Sequence, residues 1–426
     1  MQHRAMKIAA DVTRRIDGER LRRAITDLAR FGGRSDGGVS RETLTAVDLE
    51  ARQYLVDRAL AMGCSIEIDD CANLFFRRTG RSNLPPVLTG SHADTQPIGG
   101  KFDGAYGVLA GLEVIQTLND AGVQTERPIE VVAWTNEEGC RFGPGCMGSS
   151  AYVDPSRIDS FRKAVDADNV SFGAALDHAL QAMPHIARRA PLRPLTGYIE
   201  LHIEQGPLLE GAGVPLGLVT GIQSVRWYRV KVSGLAAHAG TTPMDQRADA
   251  MAASISVAHR IFLLAAQFAN DQLRLTLGRW VVSPNSINTI PGEVEFTIDV
   301  RCVDATQLTA FDLELNKVLA AQPDRCSFVL EPIFERAPTH FAHEMVELLS
   351  EASRYACVQA NRPAPIEITS GAFHDAMYLA DHCPTAMLFV PSLRGLSHNA
   401  AEATEHADLV LGVQALAYAV TCLAST

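Results

Sequence analysis

Residues 85–122, PPVLTGSHADTQPIGGKFDGAYGVLAGLEVIQTLNDAG, open with a short apolar run, pass through a glycine-rich connection and continue as a long helical pattern. The run PPVLTGSH (85–92) reads as a strand ending in polar residues, and GAYGVLAGLEVIQTLNDAG (104–122) as the helix that follows. PIEVVAWTNEE (128–138) is the next strand and TGYIELHIEQG (196–206) another. Short apolar runs alternating with helical patterns predict an α/β sheet covered by helices. Each strand delivers polar side chains at its C-terminal end, where open α/β sheets place their ligands.

After about residue 220 the pattern changes. WYRVKVSG (227–234), a helical stretch from Asp245 to about Asp271, LRLTLGRWVV (273–282) and GEVEFTIDVR (292–301) predict strand, helix, strand, strand. In the last run Val294, Phe296, Ile298 and Val300 share one face, and Glu293, Glu295, Asp299 and Arg301 the other. That alternation predicts a sheet with one buried face, as in a smaller α+β domain. From about residue 337 the α/β character returns, with the helix EMVELLSEASRYA, the strand TAMLFVP and a terminal helix. The expected organisation is one catalytic domain built from 1–220 plus 337–426, with a second domain, 221–336, inserted between its halves.

The 426 residues exceed the size at which a single core keeps growing, which also predicts two domains. A formal net charge of −11 argues against nucleic acid or an anionic membrane as partner. The charged, helix-like start lacks the apolar segment of a secretory signal. The terminal LVLGVQALAYAVTCLA, interrupted by Gln414 and Thr421, is expected to fall short of a membrane span and to pack as a core helix. Nine scattered cysteines with no C-x-x-C pair predict reduced thiols in the cytoplasm.

Metal sites gather imidazole and carboxylate groups from different strand ends. The candidates are His92 and Asp94 in GSHADT, Asp103 in GGKFDG, Glu137 and Glu138 in NEEG, His202 and Glu204 in ELHIEQG, and His398 in GLSHNAAE. A single histidine at a strand end is more often a satisfied core residue. Several such positions at successive termini of one sheet change that balance. The glycines around Asp103 suit a backbone bent sharply to aim a carboxylate; Asp103 could equally cap the helix at 104. On a strand, Glu137 and Glu138 would point to opposite faces, so each needs its own compensation.

The ordered strings GSHADTQPIGGKFDGAYGVLAGLEV, NEEGCRFGPGCMGSSAY, ELHIEQGPLLE, GLAAHAGTTPMDQRADA, NSINTIPGEVEFTIDVR, SGAFHDA and GLSHNAAE resemble the amidase and carbamoylase branch of the di-zinc aminoacylase and carboxypeptidase G superfamily. That branch includes N-carbamoyl-L-amino-acid hydrolases, β-ureidopropionases and allantoate amidohydrolases. The resemblance implies a mixed-sheet di-zinc exopeptidase-like catalytic domain with an inserted ferredoxin-like domain acting as lid and dimerisation surface. It implies two divalent ions per subunit (Zn, Mn, Co or Ni), with Asp103 bridging, His92 and His202 completing one site and Glu138 and His398 the other. Asp94 would orient His92, and Glu137 would be the general base. Two metals about 4 Å apart acidify a water held between them and polarise a carbonyl, which is what an amide or ureido bond requires.

For the substrate, the resemblance assigns His238 to the oxyanion and Asn288 with Arg301 to a substrate carboxylate; Gln205, Gly371 and His374 would line the pocket. The bland alternative for Arg301 is a solvated strand residue paired with Glu295 or Asp299. Phe373 stands where many relatives carry a small residue, and Cys140 where Ser or Ala is commoner. With no base beside it, Cys140 reads as a tolerated small residue. TQP and GVLAGLEV favour hydrolysis of an N-carbamoyl-L-amino acid or N-carbamoyl-β-alanine over allantoate, and HIEQG weighs against an N-acyl amino acid or dipeptide hydrolase. A homodimer through the inserted domain is implied, with His238 reaching the neighbouring site and hinges near Gly221 and residue 336.

Overall fold

The computed structural model of the chain describes residues 2–190, 192–268, 273–321 and 325–425. It divides into two compact units, Met1–Gly221 with His340–Thr426, and Ile222–Thr339. The sequence placed these breaks after 220 and after 336.

The first unit is organised by a ten-stranded mixed sheet. At its centre Thr385–Val390, Gly197–Ile203, Val87–His92 and Ile129–Trp134 lie side by side and parallel, all fully buried. Their near-continuous apolar character is what burial on both faces demands. Antiparallel Leu74–Arg78 continues the sheet beyond Ile129–Trp134, and antiparallel Gly217–Ile222 beyond Thr385–Val390. The helix Ala105–Asp120 crosses over from Val87–His92, and its residues from Ala105 to Ile115 are all buried. The terminal helix His406–Ala424 packs on it and on the helices Gln2–Thr13 and His343–Gln359.

Two sequence expectations need correction here. The terminal helix, like Ala250–Gln267 in the second unit, is long and apolar enough to cross a membrane. Gln414 and Thr421 do not disqualify it; it is a core helix because nearly all of it is buried against the sheet and its neighbours. The strand expected over 128–138 stops at Trp134. Asn136 then takes a left-handed φ of 57°, so Glu137 and Glu138 sit in a bend and strand alternation does not govern their directions.

The second unit holds a five-stranded antiparallel sheet: Ser327–Arg336, Ser224–Ser233 and Glu293–Cys302 are adjacent, with Leu273–Thr276 and Trp280–Ser283 both on the far edge of Glu293–Cys302. With helices Ala250–Gln267 and Ala305–Ala320 in sequence between strands, this is the ferredoxin-like βαββαβ arrangement. Glu293–Cys302 alternates between buried and half-buried positions, with Val294, Phe296, Ile298 and Val300 inward. The long helix begins at Ala250 rather than Asp245, because the Asp249 carboxylate accepts from the Met251 and Ala252 amides, 3.0 Å each. Its expected end at Asp271 lies outside the described residues.

One buried ion pair braces the segment leading to the Glu137–Glu138 bend. Arg52 donates to Asp48 at 2.7 Å, to the Ala72 carbonyl at 2.7 Å and to the Thr135 hydroxyl at 3.1 Å. Neither side chain of the pair is more than 2% exposed. Arg52→Leu leaves Asp48 as an uncompensated buried charge; a loss of about 3–5 kcal/mol is expected in urea denaturation.

Candidate metal centre

His92 is the last residue of its strand, and its Nδ1 lies 2.9 Å from the Asp94 carbonyl oxygen. His202 is the last residue but one of the adjacent strand, with Nδ1 2.9 Å from the Ile203 carbonyl. A carbonyl only accepts, so each Nδ1 carries the proton and each Nε2 is a lone pair. Both lone pairs face one oxygen of Asp103: His202 Nε2 is 3.3 Å and His92 Nε2 3.8 Å from Oδ1. The other oxygen, Oδ2, lies 3.3 Å from His398 Nε2, which is also 3.3 Å from Glu138 Oε2.

Asp103 does not cap the helix. The cap position is Gly104, with no side-chain hydrogen bond. Gly104 has φ +61°, and a Cβ there would stand 2.3 Å from His92 Nε2, so only glycine lets the chain turn beneath the imidazole. Freed from capping, the Asp103 carboxylate accepts at Oδ2 from Gln205 Nε2 and Ser397 Oγ, 2.9 Å each.

The left-handed Asn136 separates the two acids after the strand. Its amide holds the bend by donating to the Phe142 and Pro144 carbonyls, at 2.8 and 3.1 Å. Glu138 turns to His398 and accepts from Gln96, 3.0 Å from the backbone amide and 2.7 Å from the side chain. Glu137 turns the other way, with Oε2 3.5 Å from His92 Nε2 and Oε1 accepting from the Cys146 thiol at 3.5 Å. Asp94 serves this arrangement differently from the expectation. Its carbonyl, rather than its carboxylate, orients His92; the carboxylate lies 3.7 Å from that ring and accepts long, 3.4 Å bonds from the amides of Glu137 and Glu138.

The electrostatics follow from burial. Burial pushes His92 down to about 4, so it is neutral at ordinary pH. The hydrogen bond to Asp103 lifts His398 to about 9. Glu137 is raised well above the usual carboxylate range by burial, then by Asp375, Glu138 and Asp103, and Glu138 is raised by burial and by Asp103. For Asp103 burial pushes upward, but His398, His202 and His92 together hold it below the usual range. Acceptors facing acceptors in a dry site repel unless a cation lies between them. The donor sets His92, Asp103, His202 and Asp103, Glu138, His398 therefore fit divalent ions, with Asp103 offering one oxygen to each.

A further buried group, Glu200, His202 and His374, does not fit one. The lone pair of His202 accepts from the Gly104 amide at 3.1 Å on the Asp103 side, and the Glu200 oxygens accept from Ser91 Oγ at 2.7 Å and the Ala376 amide at 2.8 Å. His374 is wedged edge-on against His202, ring centroids 4.5 Å apart, with Nε2 3.1 Å from Ser370 Oγ. Gly371 of the same loop is exposed.

Glu204 is not part of the cluster, since its oxygens cap a short helix at the Leu208 and Leu209 amides, 2.7 and 2.9 Å. Cys140 approaches the Thr95 carbonyl at 3.5 Å, and burial raises its thiol, which agrees with the non-catalytic reading. His238, Asn288 and Arg301 belong to the second unit. Pairing of Ala237–His238 with Thr289–Ile290 brings the exposed His238 beside Asn288, and the Ala239 amide donates to the Asn288 carbonyl at 3.0 Å. Arg301 makes a two-pronged pair with Asp299, closest contact 2.8 Å, as the bland alternative had it. Gln96, Cys146, Asp375 and Glu402 were not singled out from sequence. All four lie within the strings that carry the resemblance, Gln96 in GSHADTQP, Cys146 in NEEGCRFGPGC, Asp375 in SGAFHDA and Glu402 as the last residue of GLSHNAAE, without a role assigned to any of them.

A sequence model of Peptidase family M20/M25/M40 matches residues 88–421. An N-carbamoyl-L-amino acid amidohydrolase from Geobacillus stearothermophilus is 37% identical, over 96% of this chain and 99% of that protein. An allantoate amidohydrolase from Escherichia coli strain K12 is 35% identical, over 92% of this chain and 94% of its own. Among solved structures, an amidase of the hydantoinase/carbamoylase family from Burkholderia vietnamiensis superposes with a TM-score of 0.86 at 40% identity, covering 97% of this chain and 98% of that one. The match over most of the length, on a fold whose strand ends converge on Asp103, makes this chain a member of peptidase family M20/M25/M40.

Proposed function

We propose that this chain is a metal-dependent amidohydrolase that cleaves the ureido C–N bond of an N-carbamoyl-L-amino acid, giving the amino acid, carbon dioxide and ammonia. The observation that carries the reading is Asp103, whose two oxygens face two separate donor sets while Glu137 stays beside them without joining either. Relatives 37% and 34% identical, both named N-carbamoyl-L-amino-acid amidohydrolases, support it.

In this reading His92, Asp103 and His202 hold one divalent ion, and Asp103, Glu138 and His398 the other. Such ions would supply polarisation of the carbonyl and acidification of a water. Glu137 takes the proton from the attacking water and returns it to the leaving nitrogen. Gln205, Gly371 and His374 line the pocket. His238 stabilises the oxyanion, and Arg301 with Asn288 receives the substrate carboxylate, Arg301 exchanging its present pair with Asp299 for it.

The inserted unit serves as lid and dimer surface. Its helix Ala250–Gln267 turns the large apolar side chains Ile255, Phe262 and Leu263 outward, all more than half exposed, as a surface awaiting a second copy would. Cytoplasmic residence is supported by nine cysteines without a disulfide. Allantoate is the second substrate to weigh, because allantoate amidohydrolases are nearly as similar as the carbamoyl-specific relatives.

Ammonia release from a panel of N-carbamoyl-L-amino acids, N-carbamoyl-β-alanine and allantoate tests the reading, with N-carbamoyl-L-amino acids expected to give the highest kcat/KM. No release from any of them by the metal-loaded protein would overturn it. Glu137→Gln is expected to keep its metal content and lose about 10²–10⁴-fold in kcat; Glu138→Gln is expected to lose one ion first, seen by elemental analysis.

Metal uptake also has a proton signature. At neutral pH His398, raised to about 9, is protonated and must release its proton before Nε2 can ligate, whereas His92, lowered to about 4, is ready. Apparent affinity is therefore expected to rise with pH until about 9, with proton release measurable by calorimetry in buffers of different ionisation enthalpy.

A further inference from the structure

The loop that carries Asp103 is held from the opposite end of the chain. Glu402 is 6% exposed, and its Oε1 accepts from two successive backbone amides, Phe102 at 2.9 Å and Asp103 at 3.1 Å. Its Oε2 is 3.0 Å from Ser397 Oγ, which in turn lies 2.9 Å from Asp103 Oδ2. The fit leaves no slack, since a Cβ on Gly100 would stand 2.0 Å from Glu402 Oε1. One carboxylate thus grips both the main chain and, through Ser397, the side chain of the residue that faces both donor sets. The same short segment, 397–402, also carries His398.

We propose that Glu402 is a positioning residue that presents Asp103 to both metal positions at once, resting on the dimetal reading above. Glu402 touches no proposed ligand atom, so it acts through the place of the Asp103 carboxylate. Both positions share that carboxylate, and a displaced Asp103 weakens them together. Loss of His92 or of Glu138 weakens one. The hydrogen-bond geometry also separates Glu402→Gln from Glu402→Asp. A glutamine keeps an acceptor oxygen for the two amides and can donate to Ser397, leaving the serine proton for Asp103. An aspartate keeps the charge but withdraws the carboxylate by one methylene, out of reach of the amides.

The experiment is competition of Zn or Mn with a chromophoric chelator, resolving both binding steps, on the parent and on Glu402→Ala, Glu402→Asp and Glu402→Gln, with folding checked by circular dichroism. The expected result is a loss of about 10–100-fold at both steps for the alanine and aspartate variants, and less than about threefold for glutamine, whose acceptor is retained. Should the alanine variant not fold, the aspartate variant decides. Parent-like affinity in the shortened variants, a loss confined to one step, or a glutamine variant as weak as the aspartate one would overturn the proposal. A parent that binds fewer than two ions would instead overturn the dimetal reading, and the two failures are distinct.

Discussion

Everything in the first unit answers to one electrostatic problem, the gathering of acceptors around Asp103 with no side-chain cation of fixed charge among them. The Nε2 lone pairs of His92 and His202, and the carboxylates of Asp103, Glu137 and Glu138, converge in a region from which water is largely excluded. In water such a set would disperse. Here most of them are held from behind: His92 by a carbonyl, His202 by another, the Asp103 loop by the Glu402 carboxylate, and Glu138 by the Gln96 amide. Repulsion is tolerated only because these braces have nowhere to relax to, and a site strained in this direction is selective for positive charge.

The parallel centre of the sheet makes the convergence possible. Strands that run in one direction finish at one edge, so His92, His202 and the bend after Trp134 share that edge without any long connection. The helix Ala105–Asp120 must start close beneath it, and the left-handed Gly104 brings Asp103 over the histidines. A side chain at 104 would displace the His92 imidazole from Asp103. The architecture and the chemistry thus meet in a residue that has no chemistry of its own.

Much of this was legible in sequence. Apolar runs ending in polar residues located the strands, and the candidate ligands stood at their ends because that is where a buried sheet first meets solvent. The one-face-buried sheet of the second unit was visible in the two-residue alternation of Val294–Val300. What failed was local. Asn136 looked like a strand residue because strand patterns carry no mark for a left-handed turn, so Glu137 and Glu138 were separated by the wrong device. Asp94 was given a carboxylate role that its backbone carbonyl performs, and no sequence pattern distinguishes the two atoms. Glu204 looked like a ligand by composition alone, yet it spends both oxygens on the backbone amides of Leu208 and Leu209, five and six residues past the strand end. The terminal helix was excluded as a membrane span by its polar residues, when burial was the fact that mattered.

The proposed base shows why the cluster must act as a unit. Left among Asp375, Glu138 and Asp103 in a dry pocket, Glu137 is held well above the usual carboxylate range. The elevation comes from burial first and from like charges second, and positive charge placed at the two donor sets opposes both. Burial then works in the other direction, because a carboxylate relieved of like-charge repulsion but poorly hydrated is a stronger base than one in water. Glu137 is thereby suited to proton transfer only under the conditions in which a substrate carbonyl would also be polarised. In the proposed reaction the same low dielectric that makes the acidic cluster costly would tie the base to the occupancy of the neighbouring positions, with Asp103 facing both donor sets.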